Sequence, residues 1–198
     1  MKKLIIVMAA VVIAVSTAGA VSVESINANF LDSIFTPDGS GSGILSIDDT
    51  ADIVVEYPDG SQYTYIGEAF LFDILLYDDL SAGGIADSLF QDGSLMIGDS
   101  GDLFGATDIN LRLTEFNDDF GILTGAGELQ AVSGLLAVDF ATPGKIVQIT
   151  FSVTPSTIGD FSEGFTGISN ITITPVPEPV TMCLLGLGGL MLRKKRRA

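Results

Sequence analysis

The sequence of 198 residues predicts a mostly β protein, with a single β-sandwich or jelly-roll-like domain between two short apolar helices. Three observations support this prediction. Short runs of β-branched and aromatic residues recur roughly every ten residues, clusters of Gly, Asp, Ser and Asn separate these runs, and an uncharged stretch beside basic residues stands at each end of the chain. We therefore divide the chain into residues 1–20, 21–175 and 176–198.

The composition excludes several kinds of chemistry. The chain has no His and one Cys, which excludes a Ser-His-Asp or Cys-His nucleophile, a His-ligated metal, a cysteine zinc site and an intrachain disulfide. We expect no catalytic residue, no metal site and no cofactor. The net charge of −16 has the wrong sign for binding a phosphate backbone, so we expect no nucleic-acid partner.

The charges are unevenly distributed along the chain. Residues 21–176 contain 24 of the 25 acidic residues but only two basic ones, Arg112 and Lys145, so this body has a net charge of −22. The other seven basic residues lie at the two ends. The ends therefore differ in character from the acidic body, and each is interpreted separately.

The first twenty residues have the layout of a signal peptide. Lys2 and Lys3 precede twelve residues without charge, Leu4 to Val15, and an A-x-A cleavage pattern follows at Ala18 and Ala20. Twelve helical residues span ~18 Å, which is short of the ~30 Å hydrocarbon core of a bilayer. We therefore expect a signal helix handled by Sec-type export machinery, and a mature chain that begins near Val21.

The C-terminal segment has three parts in succession. Pro177-Glu178-Pro179 is stiff and extended, because proline fixes φ and restricts the residue before it. Thirteen uncharged residues, Val180 to Leu192, follow, and five basic residues come next: Arg193, Lys194, Lys195, Arg196 and Arg197. We expect the apolar run to enter the inner membrane transiently as a short helix, with the basic block on the cytoplasmic side.

These three parts, in this order, resemble the PEP-CTERM sorting signal of bacterial exported proteins. In that family the tail is recognised by exosortase, a membrane protease, and the host is typically a bacterium that makes exopolysaccharide. The resemblance covers residues 176–198 and implies that Pro177, Glu178 and Pro179 are the recognition motif. It also implies that residues 193–197 stop the chain in the membrane, although the apolar run is shorter than the ~20 residues of a full span.

The acidic body contains several predicted strands. Residues 52–57 and 62–66 flank Pro58-Asp59-Gly60-Ser61, which predicts a β-hairpin. Three further segments are predicted strands from polar-apolar alternation or β-branched content: residues 108–114, 145–153 and 170–174. Turn-forming clusters, among them Gln91-Asp92-Gly93, separate the strands.

Two segments are apolar on both faces, so periodicity alone leaves strand and helix open. Ala69 to Tyr77 is interpreted as a central strand because it is rich in aromatic residues and has polar flanks. Leu129 to Phe140 is interpreted in the same way, with Gly134 as a bulge or bend.

The two termini together predict an exported protein of the cell envelope, the cell surface or the extracellular matrix, with a body that is not an enzyme. One alternative is a carbohydrate-binding module of the extracellular polymer, with Tyr63 and Tyr65 on one face of a predicted strand. Another is calcium binding by the acidic loops 99–102 and 117–119, although no EF-hand loop is present. A carboxylate-based glycosidase is the least favoured alternative, since adjacent aspartates point to opposite faces of a strand.

The charge of the body leads to a testable expectation. A net charge of −22 on one domain opposes the compact state by self-repulsion, and dissolved ions screen that repulsion. The melting temperature should therefore rise when sodium chloride or calcium chloride is added. Thermal unfolding from low to high ionic strength measures this effect, and a melting temperature that does not change would contradict it.

Overall fold

The computed structural model describes residues 23–117, 122–140, 146–155 and 160–175. These residues are mostly in strands, as the sequence predicts. The strands in chain order are β1 (Ser25–Pro37), β2 (Gly43–Glu56), β3 (Gln62–Asp79), β4 (Asp87–Ile97), β5 (Phe104–Asn117), β6 (Ile122–Ser133), β7 (Ile146–Pro155) and β8 (Phe165–Pro175). A 3₁₀ turn (Asp99–Gly101) and a short helix, α1 (Leu135–Phe140), complete the described elements.

The strands form one closed antiparallel barrel in the order β1 to β8. Each strand pairs with its neighbours in sequence, and β1 closes the barrel by pairing with β8, where Ile26 lies opposite Ile173. The predicted β-sandwich or jelly roll is therefore wrong in its architecture, because either would place non-consecutive strands side by side in two sheets. Strands separated by turns are common to these folds, so the order in which the strands pair distinguishes them and the local pattern does not.

The predicted hairpin forms at residues 52–66. Gly60 donates its N–H to the carbonyl of Tyr57, and Tyr57 donates to the carbonyl of Ser61. Gly60 has φ of 81°, so a residue in the left-handed region completes the three-residue hairpin connection. The predicted strands 108–114 and 170–174 lie within β5 and β8, and residues 146–153 of the remaining one lie within β7, whereas Lys145 is outside the described residues.

The interior is filled by one face of every strand, as the period of two in a strand requires. Within the predicted strand Ala69 to Tyr77, Phe70, Phe72, Ile74 and Leu76 point inward and are buried, whereas Leu75 is exposed. This alternation confirms the strand, and the apolar residues of its other face, such as Leu75, lie on the outside of the barrel.

Aromatic rings close one end of the barrel. Phe161, in the connection between β7 and β8, is buried with its ring centroid 5.4 Å from that of Phe35 and 5.5 Å from that of Phe90. Phe35 also stacks on Phe165 with centroids 5.4 Å apart. The loop thus covers the interior with an aromatic cluster rather than leaving it open to solvent.

Residues 129–133 are strand and the chain bends at Gly134, as predicted, but the helix α1 corrects the strand prediction for residues 135–140. Strand β6 ends at Ser133, and Gly134 turns the chain with φ of 100°. An added Cβ at Gly134 would lie 2.5 Å from the carbonyl oxygen of Leu103, so only glycine fits this close approach. Leu136 and Ala137 are buried in the core, and this tertiary packing favours a helical turn where local pattern favours a strand.

The start of β1 and the finish of β8 lie at the same end of the barrel, because these two strands pair antiparallel with Ile26 opposite Ile173. We call this the terminal end; it also carries the hairpin turn at residues 57–61, the 3₁₀ turn and α1. The predicted signal and membrane helices fall in residues 1–22 and 176–198, outside the described residues. Across the described ranges, no helix has the length and apolar character needed to cross a membrane.

The aromatic cluster leads to a stability prediction. Phe35→Ala removes a ring that is 1% exposed and contacts three other rings. We expect the free energy of unfolding to fall by about 3–5 kcal/mol, from lost burial and the cavity left behind. Chemical denaturation of both proteins measures this difference. Ile66→Ala is the control, since Ile66 is 80% exposed, and its effect should stay within about 0.5 kcal/mol. Equal effects of the two variants would contradict the assignment of Phe35 to the core.

Candidate functional site

The predicted sorting and cleavage residues lie outside the described part of the chain. These are Ala18 and Ala20, the tripeptide Pro177-Glu178-Pro179, and the basic residues 193–197. Strand β8 ends at Pro175, opposite Val147 of β7. The sorting segment therefore follows directly, in sequence, from the terminal end of the barrel.

The two tyrosines predicted as a sugar-binding surface lie at the terminal end. Tyr63 and Tyr65 pair with the buried residues Val55 and Ile53, so they share the inward face of the sheet. Their ring centroids are 4.7 Å apart with planes at 69°, an edge-to-face contact. Tyr65 packs against the core, and Tyr63 remains 57% exposed. The two rings thus pack on each other at an angle and do not form one flat surface.

Four acidic residues in or beside the loops have a structural role. In four loops an aspartate carboxylate accepts a hydrogen bond from the N–H of the serine two residues later, at 2.8–3.0 Å. The aspartates are Asp38, Asp59, Asp79 and Asp160. This is the side-chain turn that makes Asp frequent in loops, and it explains the repeated Asp-x-Ser pattern of the connections.

The predicted calcium loops are separate features of the structure. Asp99 begins the 3₁₀ turn between β4 and β5, whereas Asn117 ends β5 at the opposite end of the barrel. Asp118 and Asp119 lie outside the described residues. Within the described ranges, no group of three or more carboxylate or thiol side chains is placed to hold a metal ion.

One pair of carboxylates shares the outer surface of β2 and β3. Ser46 of β2 lies opposite Asp73 of β3. Asp48 is two residues further along β2, so it is the diagonal neighbour of Asp73 on the same face. Partial burial and the charge of Asp48 raise the pKa of Asp73 above its ordinary value. Among the described residues with a shifted pKa, this pair comes closest to the carboxylate pair of a glycosidase. It lies, however, on an open strand surface.

A depression of about 310 Å³ lies on the outside of the barrel, across β3, β4 and β5. We call it the outer groove. The side chains that line it are Tyr77, Leu89, Gln91, Asn110 and Arg112, and the inward-facing residues Phe90 and Leu111 complete the lining. No single strand forms this site, since β3, β4 and β5 each contribute to it.

Two neighbouring β-bulges shape the outer groove. The residues of β3 on either side of Tyr77 pair with consecutive residues of β4, so Tyr77 is the extra residue of a bulge. In β4, Gln91 and Asp92 together lie opposite Asn110 of β5. Asp92 has φ of 56°, the left-handed region that is unusual for a residue with a side chain. Bulges redirect side chains and are frequent beside binding sites.

The bulge in β4 corrects the turn predicted at Gln91-Asp92-Gly93. These residues continue the strand, and Gly93 faces the interior. A Cβ at Gly93 would lie 2.9 Å from side-chain atoms of both Ile74 and Ile109. The glycine thus permits close packing within a strand, which local turn statistics cannot distinguish from a loop.

Arg112, which lines the outer groove, forms an ion pair with Asp87. Arg112 donates from Nε to Oδ1 of Asp87 at 2.9 Å and from Nη2 to Oδ2 at 2.7 Å. Thr114 donates its hydroxyl to the same carboxylate at 3.1 Å. The hydrogen bonds from Arg112 hold the pKa of Asp87 below its ordinary value. This two-point pairing fixes the plane of the guanidinium group.

The sequence interpretation missed the outer groove. One signal was present, since Arg112 is the sole cation of the described residues in a body with 24 acidic residues. Its partner Asp87 lies 25 residues away in sequence, and the bulges that bring Tyr77 and Gln91 beside it arise from strand register. Register between strands is not visible in the local pattern.

Comparison with protein families identifies the tail. The PEP-CTERM protein-sorting motif matches residues 175–197. The chain therefore carries this sorting motif at its C-terminus, as the residues of the tail predict. The motif implies an exported, envelope-associated protein that is sorted through exosortase. Comparisons with curated proteins and with solved structures gave no match.

The loop aspartates lead to a prediction about pH. Partial burial raises the pKa of Asp79, but hydrogen bonds from Ser81, Ser88 and Phe161 together lower it below its ordinary value. A lowered folded-state pKa stabilises the fold above the unfolded value of about 3.9 and ceases to do so as pH falls through the folded value. Asp79→Asn should therefore destabilise the protein at pH 7, by only about 0.5–1 kcal/mol because solvent screens this exposed carboxylate, and have less effect near pH 2.

Denaturant unfolding at several pH values measures this effect. Asp78→Asn is the matched control. Asp78 is the exposed neighbour of Asp79 on the same strand, and this substitution removes the same charge. A loss of stability in the Asp79 variant that was independent of pH would contradict the linkage.

Proposed function

We propose that this protein is a non-catalytic component of the cell surface or extracellular matrix, delivered outside the cytoplasmic membrane and sorted through its C-terminal tail. The PEP-CTERM motif at residues 175–197 is the observation that carries the proposal. In this interpretation exosortase recognises Pro177, Glu178 and Pro179 and processes the chain near them. Sec-type machinery exports the chain by its N-terminal segment, with cleavage after Ala20.

The position of the last strand supports this role for the tail. Strand β8 ends at Pro175, the first residue of the matched motif, so only Val176 separates the barrel from Pro177. The prolines favour an extended chain that a protease can bind as a strand-like ligand. In the proposed intermediate, residues 180–192 lie in the inner membrane and the basic block remains on its cytoplasmic side.

This arrangement would orient the barrel. The terminal end would face the membrane while the tail is held, and the opposite end, with the loops of Asp38, Asp79 and Asp160, would point away from it. A body with a net charge of −22 is repelled by anionic surfaces, which favours a domain held off the lipid rather than lying on it.

The roles of the carboxylates support a body without catalysis. Those that carry most of the described side-chain hydrogen bonds hold turns, as Asp38 and Asp59 do, or an ion pair, as Asp87 does. Glu115 is buried, but it accepts a hydrogen bond from the N–H of Ala86 and thereby anchors the start of β4. Asp48 and Asp73 are the pair of carboxylates that comes closest to a catalytic arrangement. An enzyme would need a cleft around them.

The tail can be tested by substitution of its tripeptide. In a host that has exosortase, mass spectrometry of the mature protein should show a start near Val21 and loss of the basic residues 193–197. Simultaneous Pro177→Ala, Glu178→Ala and Pro179→Ala substitutions should retain those residues and leave the chain in the membrane fraction.

The control for this experiment is Pro58→Ala, which changes a proline in the hairpin turn and leaves the tail intact. It should be processed like the natural chain. Recovery of natural protein from the cell surface with an intact C-terminal Arg-Lys block would contradict processing, and retention of both termini in the cytosol would contradict export.

A further inference from the structure

The outer groove has the chemistry of a site for a small, uncharged, hydroxyl-rich ligand. We propose that it binds a neutral saccharide, with one sugar ring against Tyr77. The proposal concerns the body of the protein, and it stands independently of how the tail is processed.

The floor and side of the groove provide an apolar surface beside polar groups. The ring of Tyr77 is 65% exposed, and Leu89 on the neighbouring strand is half-buried. A pyranose ring has one face of C–H groups and a rim of hydroxyls. The C–H face contacts an aromatic ring favourably, since the face of the aromatic ring is electron-rich. The Tyr77 bulge points this ring outward beside the groove.

The polar groups around the aromatic ring are planar, and together they offer both hydrogen-bond donors and acceptors. Gln91 and Asn110 each present an amide with both a donor and an acceptor, and Arg112 presents N–H donors that its pairing with Asp87 leaves free. Adjacent sugar hydroxyls both donate and accept hydrogen bonds. Such a mixed set of donors and acceptors matches hydroxyls better than it matches an ion.

Charge favours a neutral ligand over an anion. The positive charge of Arg112 is already matched by the carboxylate of Asp87, with donor–acceptor distances of 2.7 and 2.9 Å. The body around the groove has a net charge of −22, and its field opposes the approach of a negatively charged polymer. An uncharged saccharide escapes this repulsion.

Hydrogen bonds within the protein preorganise the polar side chains of the groove. The side-chain amide of Asn110 donates to the carbonyl oxygen of Asp108 at 3.1 Å, which fixes its plane. The hydroxyl of Thr114 holds the carboxylate of Asp87, which in turn fixes Arg112. Side chains that are already ordered lose less conformational entropy on binding. The volume of about 310 Å³ lies at the small end of the roughly 300–1,000 Å³ typical of ligand pockets, which suits one or two sugar rings.

The test uses the full chain, purified in a detergent without a sugar headgroup, and isothermal titration with a panel of oligosaccharides. The neutral probes are maltohexaose, cellohexaose and mannohexaose, and the anionic probe is oligogalacturonate. We expect saturable binding of at least one neutral probe and weaker or no binding of oligogalacturonate. Tyr77→Ala should weaken the binding at least tenfold, and Tyr77→Phe should retain most of it because the ring remains.

Two further variants separate loss of the site from loss of the fold. Asn110→Ala removes a hydrogen-bonding group from the groove without touching the aromatic ring, and it should also weaken binding. Tyr63→Ala is the matched control, because Tyr63 is similarly exposed but lies at the terminal end. It should bind like the natural chain. Absence of binding to all three neutral probes, preference for oligogalacturonate, or equal effects of the Tyr63 and Tyr77 variants would overturn the proposal.

Discussion

The pairing of β1 with β8 is the constraint on which the rest of the structure depends. It joins the two ends of the described chain, with Ile26 opposite Ile173 and Phe35 opposite Phe165. Without it, two strands would expose unpaired backbone groups, and the inner faces of the sheet would not enclose a common core. Closure also brings Phe35 and Phe165 into the aromatic cluster that Phe161 completes. Packing within the barrel and pairing around it therefore support each other.

Large side chains fill the closed barrel. Its outer surface and the chain ends are therefore the parts available to other molecules. The interior holds rings such as Phe72 and Phe151, stacked with centroids 5.6 Å apart. The aspartates that begin the Asp-x-Ser loops lie outside, where they stabilise turns. Strand β8, which the sorting segment follows in sequence, finishes at the terminal end, and the outer groove lies on the side of the barrel. The residues that line the groove and those of the matched motif do not overlap, so sorting and ligand binding can be tested independently.

The sequence predicted the local elements well where one strand and one turn suffice. The hairpin at residues 52–66 formed because Gly60 adopts the left-handed conformation that its turn requires. Residues 69–77 were correctly interpreted as a strand, and alternate side chains there face the core. The prediction failed at residues 135–140, where α1 forms because Leu136 and Ala137 pack on the core. It also failed at Gln91-Asp92-Gly93, where glycine serves close packing between Ile74 and Ile109 rather than a turn.

The sequence by itself determined the β class of the body, its acidity and the sorting motif of the tail. These properties depend on residues close together in the chain, and a protease or a membrane acts on such a segment in an extended or helical form without a folded partner. Only the tertiary structure decided the closed barrel and the outer groove. Both require register between strands, as when Asp87 meets Arg112 from the neighbouring strand or a bulge turns Tyr77 outward. Register follows from the packing of all eight strands together, so no local pattern contains it.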